Sequence, residues 1–187
     1  KAREGIEVLV IYDALGARKT RQGFWKKLHD AGGHTVPFFG YSLGFINWRI
    51  NYRNHRKIVV IDGKIGYVGG FNIGDEYLGK GKLGYWRDTH LRIVGDAVYS
   101  LQSRFFIDWN AAVHGEKRRE FIPEYFPVVE SLGQNMIQVV STGPDASLQK
   151  IKLGLIKMIS MAKKSVWIQT PYFIPDESVQ EALSIAA

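Results

Sequence analysis

Cysteine is absent from the 187 residues, which excludes disulfide staples and thiolate metal centres and fits a cytosolic setting. Long hydrophobic runs are missing too: no window approaches the roughly 18 consecutive apolar residues of a membrane span, and the N-terminus lacks a signal-peptide layout. The stretch is therefore expected to be soluble. Negative charge is in short supply, with 18 Asp and Glu against 25 Lys and Arg for a net +7. That surplus favours an anionic partner, whether nucleic acid, an acidic membrane surface or a phosphorylated substrate. Hydrophobic residues make up 45% of the chain, which argues against disorder and allows a sizeable core.

The stretch richest in chemistry is Asn54-His55-Arg56-Lys57-Ile58-Val59-Val60-Ile61-Asp62-Gly63, closed by Val68-Gly69-Gly70-Phe71-Asn72. The apolar run 58–61 predicts a buried strand, Asp62-Gly63 a two-residue hairpin turn, and 64–68 the return strand. Two apart on a β-rich run, His55 and Lys57 share a face, and that face can hold a phosphate. Gly69 and Gly70 let backbone come close to a bound anion, and Asn72 adds an amide donor. Arg49, Arg53, Arg56 and Lys57 gather just before the hairpin, interleaved with Trp48 and Tyr52. Such a cluster reads either as a solvated face or as a surface turned toward an anion or a membrane interface.

Around this hairpin the pattern alternates strands and helices. Residues 1–5 read as a helix tail with Gly5 at its C′ position, followed by a strand over 6–12. Thr20 is placed to cap a helix that packs Phe24, Trp25 and Leu28 and stops at Gly32-Gly33, before a strand over 35–39. Residues 40–53 read as an irregular loop, as do 74–84 with Gly74, Gly79, Gly81 and Gly84. A strand over 86–94 leads to a helix over 97–112, capped by Asp96 and packing through Val98, Leu101, Phe105, Ile107 and Trp109. Charge and proline in 114–134 suggest a linker. Strands at 136–141 and 165–170, an amphipathic helix over 148–162 and a helix from 177 capped by Asp176 complete the pattern. The fold class expected is α/β, a mixed and mostly parallel sheet flanked by helices. Both termini fall within helix patterns, as expected of a piece from the middle of a longer protein.

His55-x-Lys57-x-x-x-x-Asp62 followed by Gly69-Gly70-x-Asn72 resembles the HKD signature of the phospholipase D superfamily. Its surroundings are similar to those of bacterial cardiolipin synthases: Asn51-Tyr52-Arg53-Asn54 leads in, Phe71-Asn72-Ile73-Gly74 leads out, and Trp86-Arg87-Asp88-Thr89-His90 and Thr170-Pro171-Tyr172-Phe173-Ile174-Pro175 follow. The resemblance extends over nearly the whole chain. Enzymes of that superfamily use two HKD motifs, from two halves of one chain or from two subunits, and this chain carries one. The resemblance therefore implies a phospholipase D-like first half at 1–113 without its N-terminal strand, a linker at 114–134, and the start of a second half at 135–187, cut before its own motif.

The same resemblance implies the roles. His55 is the nucleophile, forming a phosphohistidine that divides one displacement into two. A histidine of the second motif would protonate the departing alkoxide. Lys57, Asn72 and the backbone at Gly70 would bind the substrate phosphate. Asp62, the fourth member of the motif, stands at the Asp-Gly turn, where it can fix the hairpin and the lysine or touch substrate, and is given a supporting role. A nucleophilic histidine needs its other nitrogen held, and Asp88 is the candidate acid, with a surface pairing to Arg87 or Arg92 as the alternative. Asp88, His90 and His55 form a conceivable metal set, but the resembled family works without metal or cofactor. His29, His34 and His114 read as surface residues, while Tyr172 and Phe173 are candidates for lipid contact or for core.

The implied activity is phosphatidyl transfer between two phosphatidylglycerol molecules, giving cardiolipin and glycerol. The implied partners are anionic phospholipid, a membrane surface, and a second HKD half or a homodimer partner, with nucleic acid disfavoured. The parent would sit at the bacterial cell membrane with its catalytic domain on the cytoplasmic side. Two alternatives remain open: a phospholipase D-type or nuclease phosphodiesterase, and a catalytically incomplete phosphate-binding half.

Overall fold

The computed structural model describes residues 1–21, 23–38, 53–82, 84–130, 133–143 and 146–187. The loop expected over 40–53, with Trp48, Arg49 and Tyr52, lies outside these residues apart from Arg53. Two compact units divide the chain, Lys1–Val139 and Val140–Ala187. The first holds strands β1 (Leu9–Asp13), β2 (His34–Phe38), β3 (Ile58–Ile61), β4 (Ile65–Gly69) and β5 (His90–Val94), the short helix α1 (Lys26–His29) and the long helix α2 (Ala97–Ala112). The second holds α3 (Lys150–Met161) and α4 (Glu177–Ala186).

The fold is mixed α/β. β1 and β2 pair in parallel, while β3, β4 and β5 form an antiparallel meander. Among the described residues the parallel share is smaller than the sequence pattern suggested: a tight turn makes β3 and β4 antiparallel, β5 returns along β4 after residues 70–89, and a crossover joins β1 and β2. α2 is the spine of the first unit. One end, through Trp109 and Val113, packs with Val36, Leu9 and Ile11 of the parallel pair. The other, through Val98 and Leu101, packs with Ile58, Val60, Val68 and Ile93 of the meander. Side chains buried this fully each contribute about 1.5–3 kcal/mol.

Helix α2 has the bounds expected, but its packed stripe differs. Phe106 is buried and Ile107 is 48% exposed, because Val98, Leu101, Gln102, Phe106 and Trp109 follow the helical repeat and Ile107 falls outside it. Asp96 itself adopts a helical conformation and makes no capping bond. Helix α1 is shorter than Thr20 promised, since Gly23 at φ 87 breaks the helical path just before it. Residues 114–127 have the composition of a linker yet lie on α2: the Trp109 indole donates to the Lys117 carbonyl, and Phe106 meets Phe121, Tyr125 and Phe126 edge-on.

No ladder forms at 136–141 or 165–170 among the described residues. A strand persists only beside a neighbour that takes up its N–H and C=O groups. In the second unit, Asp176 caps α4 as expected, accepting from the Val179 N–H at 3.1 Å, and Lys152 reaches the same carboxylate at 2.9 Å. These partners, with the Ser178 hydroxyl, pull the Asp176 pKa down to about 2.

Candidate active site

The β3–β4 hairpin carries the site. Ile58 and Val60 point into the core, whereas Val59 and Ile61 are 52% and 44% exposed. β3 is thus half-buried rather than buried, packed by α2 on one face only among the described residues. The connection is also longer than a two-residue turn. Ile61 pairs with Ile65, so Asp62, Gly63 and Lys64 all lie outside the ladder. Asp62 and Gly63 both take left-handed conformations, at φ 53 and φ 65.

The extra residue decides which face of β4 is packed, because a one-residue slip exchanges the faces of a strand. It turns Gly66 and Val68 toward α2. A Cβ at Gly66 would come within 2.7 Å of Leu101 Cδ1, so the glycine is what lets the helix close on the sheet.

The approach to the motif is held from both sides. At the end of β1, Asp13 accepts from Arg53 Nη2 at 2.8 Å and from the Asn54 N–H at 3.1 Å. Partial burial alone would raise the Asp13 pKa, but the bonds from Arg53, Gly16 and Asn54 outweigh it and hold the carboxyl below its ordinary value. Arg56, between His55 and Lys57, reaches Asp108 on α2 at 3.2 Å. Asp108 is buried and also paired with Arg104. Sequence reasoning passed over both acids. The signals were a lone carboxylate closing the apolar run of β1, and an Asp beside the apolar Phe105, Phe106 and Trp109 of α2.

At the open base of the hairpin, His55 is exposed and its imidazole makes no bond or ring contact among the described residues. Lys57 Nζ donates to the His55 carbonyl at 2.7 Å. Asn72, also exposed, donates through Nδ2 to the Tyr77 hydroxyl at 2.6 Å. The Gly70 N–H donates to the Thr89 carbonyl at 2.9 Å. Over the Gly70 Cα sits the Asp88 carboxylate, where a Cβ would fall 2.0 Å from Oδ1.

Asp88 precedes β5 instead of lying on it, and its Oδ1 accepts from the Thr89 N–H at 2.7 Å. Gly70 and Asp88 are therefore brought together, and His55 and Lys57 are joined through backbone. No bond links the His55 ring to Asp88 among the described residues. Asp62 lies a strand length away, about 10 Å or more beyond Lys57. There the tip is covered: a Cβ on Gly63 would be 2.5 Å from the Tyr125 carbonyl oxygen and 2.7 Å from Pro127.

The other histidines are separate. His29 bonds the Thr35 hydroxyl at 2.9 Å, and His90 packs edge-on against Phe71 with its Nδ1 buried and unpartnered. His34 and His114 are exposed. In the second unit Tyr172 is 79% exposed, while Phe173 lines a shallow apolar cleft with Val166, Ile168 and Leu183. Among the described residues no group of three His, Cys, Asp or Glu side chains is placed to hold a metal ion. No described helix is long and apolar enough to cross a membrane.

Over its full length the chain is 54% identical to a cardiolipin synthase of Listeria innocua and 56% identical to the major cardiolipin synthase ClsA of Bacillus subtilis, in each case spanning 39% of the relative. A cardiolipin synthase of Staphylococcus aureus is 54% identical and is covered to 38% of its length. No family model matches the chain, and no solved structure matches it.

Proposed function

For a chain that belongs to the phospholipase D superfamily, in its cardiolipin synthase branch, we propose that the base of the β3–β4 hairpin is one half of a phosphatidyl-transfer site. The observation that carries this reading is His55: an exposed imidazole with no partner among the described residues, on a segment tied down through Arg53 and Arg56, with the Lys57 and Asn72 donors on adjoining backbone. Anchoring by Asp13 and Asp108 on either side supplies the fixed geometry that a nucleophile needs.

In the first step an imidazole nitrogen of His55 attacks the phosphorus of one phosphatidylglycerol. The N–P bond forms, the bond from phosphorus to the glycerol headgroup oxygen breaks, and a general acid protonates that oxygen, so glycerol leaves. In the second step the primary hydroxyl of another phosphatidylglycerol attacks the same phosphorus. The N–P bond breaks, the hydroxyl proton returns to the general base, and cardiolipin is released.

Lys57 and Asn72 take the spreading negative charge, exchanging the His55 carbonyl and Tyr77 hydroxyl for phosphate oxygens. Asp88 is the acid assigned to the second imidazole nitrogen, and the bare Cα of Gly70 admits both that carboxylate and the phosphate. Asp62 shapes the turn. The proton-transfer histidine comes from a second HKD motif, in the longer protein or a dimer partner. The membrane surface supplies both lipids.

The chain's single HKD motif favours a second reading, in which this stretch alone binds phosphate without turnover. Labelled phosphatidylglycerol offered to the full-length protein tests both. Equimolar cardiolipin and glycerol, with an acid-labile lipid adduct on His55, are expected. Phosphatidic acid as sole product, or cleavage of DNA in place of lipid, overturns the transferase reading. Turnover by the 187-residue chain as a proven monomer overturns the half-site.

A further inference from the structure

A second basic feature adjoins the hairpin base. The turn after β1 and the Arg53 side chain border an open cleft of about 360 Å³ lined by Leu15, Gly16, Arg18, Lys19 and Arg53. Arg53 is held in place by Asp13, whose carboxylate is occupied by Arg53 and by the Gly16 and Asn54 N–H groups. Arg18 and Lys19 have no acidic partner among the described residues. Beside the Arg53–Asp13 ion pair, the cleft thus carries an excess of two positive charges, those of Arg18 and Lys19. Its volume is at the small end of the roughly 300–1,000 Å³ of ligand pockets, the size of a headgroup and not of an acyl chain. Arg53 precedes His55 by two residues, so the Cα atoms of the two lie within about 7 Å of each other.

We infer that this cleft is an anion subsite for a second phosphodiester, holding the phosphate of the acceptor lipid while its glycerol hydroxyl reaches the phosphorus on His55. The inference rests on the transfer reading above and names where that reaction's second anion is held. Two phosphates joined by a single glycerol must lie close together in the product, and the juxtaposition of cleft and His55 provides that spacing. Pinning Arg53 to Asp13 keeps one wall preorganised, leaving Arg18 and Lys19 to close on the anion.

The test uses the full-length protein in vesicles of phosphatidylglycerol diluted in a neutral lipid, comparing wild type with Arg18→Gln/Lys19→Gln, whose exposed positions leave the fold intact. Loss of two charge-assisted contacts is expected to raise KM for phosphatidylglycerol about tenfold or more, with kcat at saturating lipid changed less than about threefold. A soluble arm, independent of turnover, titrates glycerol 3-phosphate and inorganic phosphate. The variant should bind glycerol 3-phosphate about tenfold more weakly. Phosphate competing equally with glycerol 3-phosphate assigns the site to free anion and overturns the acceptor-lipid assignment. Unchanged KM and unchanged binding overturn the subsite while leaving His55 chemistry standing. A DNA oligonucleotide that binds wild type but not the variant overturns the lipid assignment in favour of nucleic acid. Should wild type form no adduct on His55, the transfer reading fails, and the titration still decides whether the cleft binds anions.

Discussion

The two ends of the β3–β4 hairpin differ in how their groups are employed. At the tip, Gly63 is buried under the Tyr125 carbonyl and Pro127, and the chain turns through two left-handed residues. At the base, His55 and Asn72 are exposed, and among the described residues Lys57 and Asn72 are bonded only to a carbonyl and a hydroxyl that a phosphate can displace. One motif thus spans a packed end and an open end. The lesson is that spacing along a signature does not place all its members at the chemistry: a strand separates Asp62 from His55.

Substitutions at the two ends should therefore separate activity from stability. The largest effect belongs to His55→Gln in the full-length protein, where cardiolipin formation should fall by on the order of 10⁴ or more with no change in melting temperature. A loss below tenfold would place the nucleophile elsewhere. Lys57→Ala and Asn72→Ala should each lower kcat by about 10²–10³ while leaving thermal unfolding unaltered. If either acts only on KM, its donor serves binding alone.

At the opposite end, Gly63→Ala should cost about 1–3 kcal/mol in denaturant unfolding, because φ 65 strains any side chain and the new Cβ meets Tyr125. Its kcat at a temperature where it is folded should stay near wild type. An activity loss matching that of Lys57→Ala would erase the distinction between tip and base.

The smallest effect concerns the second unit and serves as a control outside the unit that carries the motif. The Asp176 pKa is depressed from 3.8 to about 2, so its capping contribution is complete above 3.8 and lost as pH falls toward 2. The Val179 amide shift should titrate with a midpoint near 2. A midpoint near 3.8 would remove Lys152 and the cap from the account.

Much of this was legible in the chain. The period of α2 located its bounds to the residue, and the Asp176 cap of α4 was marked by its side chain and the pattern after it. The hairpin was legible from its β-branched run and Asp-Gly turn, though the register was not. Lys64 joins the connection because Gly66 must face Leu101, and that requirement lies on a helix about 35 residues away in the chain. The missing ladders at 136–141 and 165–170 have the same origin, since a strand's partner is chosen in space.

What the sequence by itself determined is the local chemistry: an imidazole, an ammonium and an amide at fixed intervals, and the glycines that keep backbone bare beside them. Over its full length the chain is also 54–56% identical to cardiolipin synthases of which it spans 39%. Only tertiary structure decided that Asp13 and Asp108 hold the motif from either side, that Asp88 lies over Gly70, and that Arg53 joins Arg18 and Lys19 around one cleft. Residue type and spacing specify what a side chain can do, but contacts between residues distant in the chain depend on how strands and helices pack, and packing is a property of the whole unit.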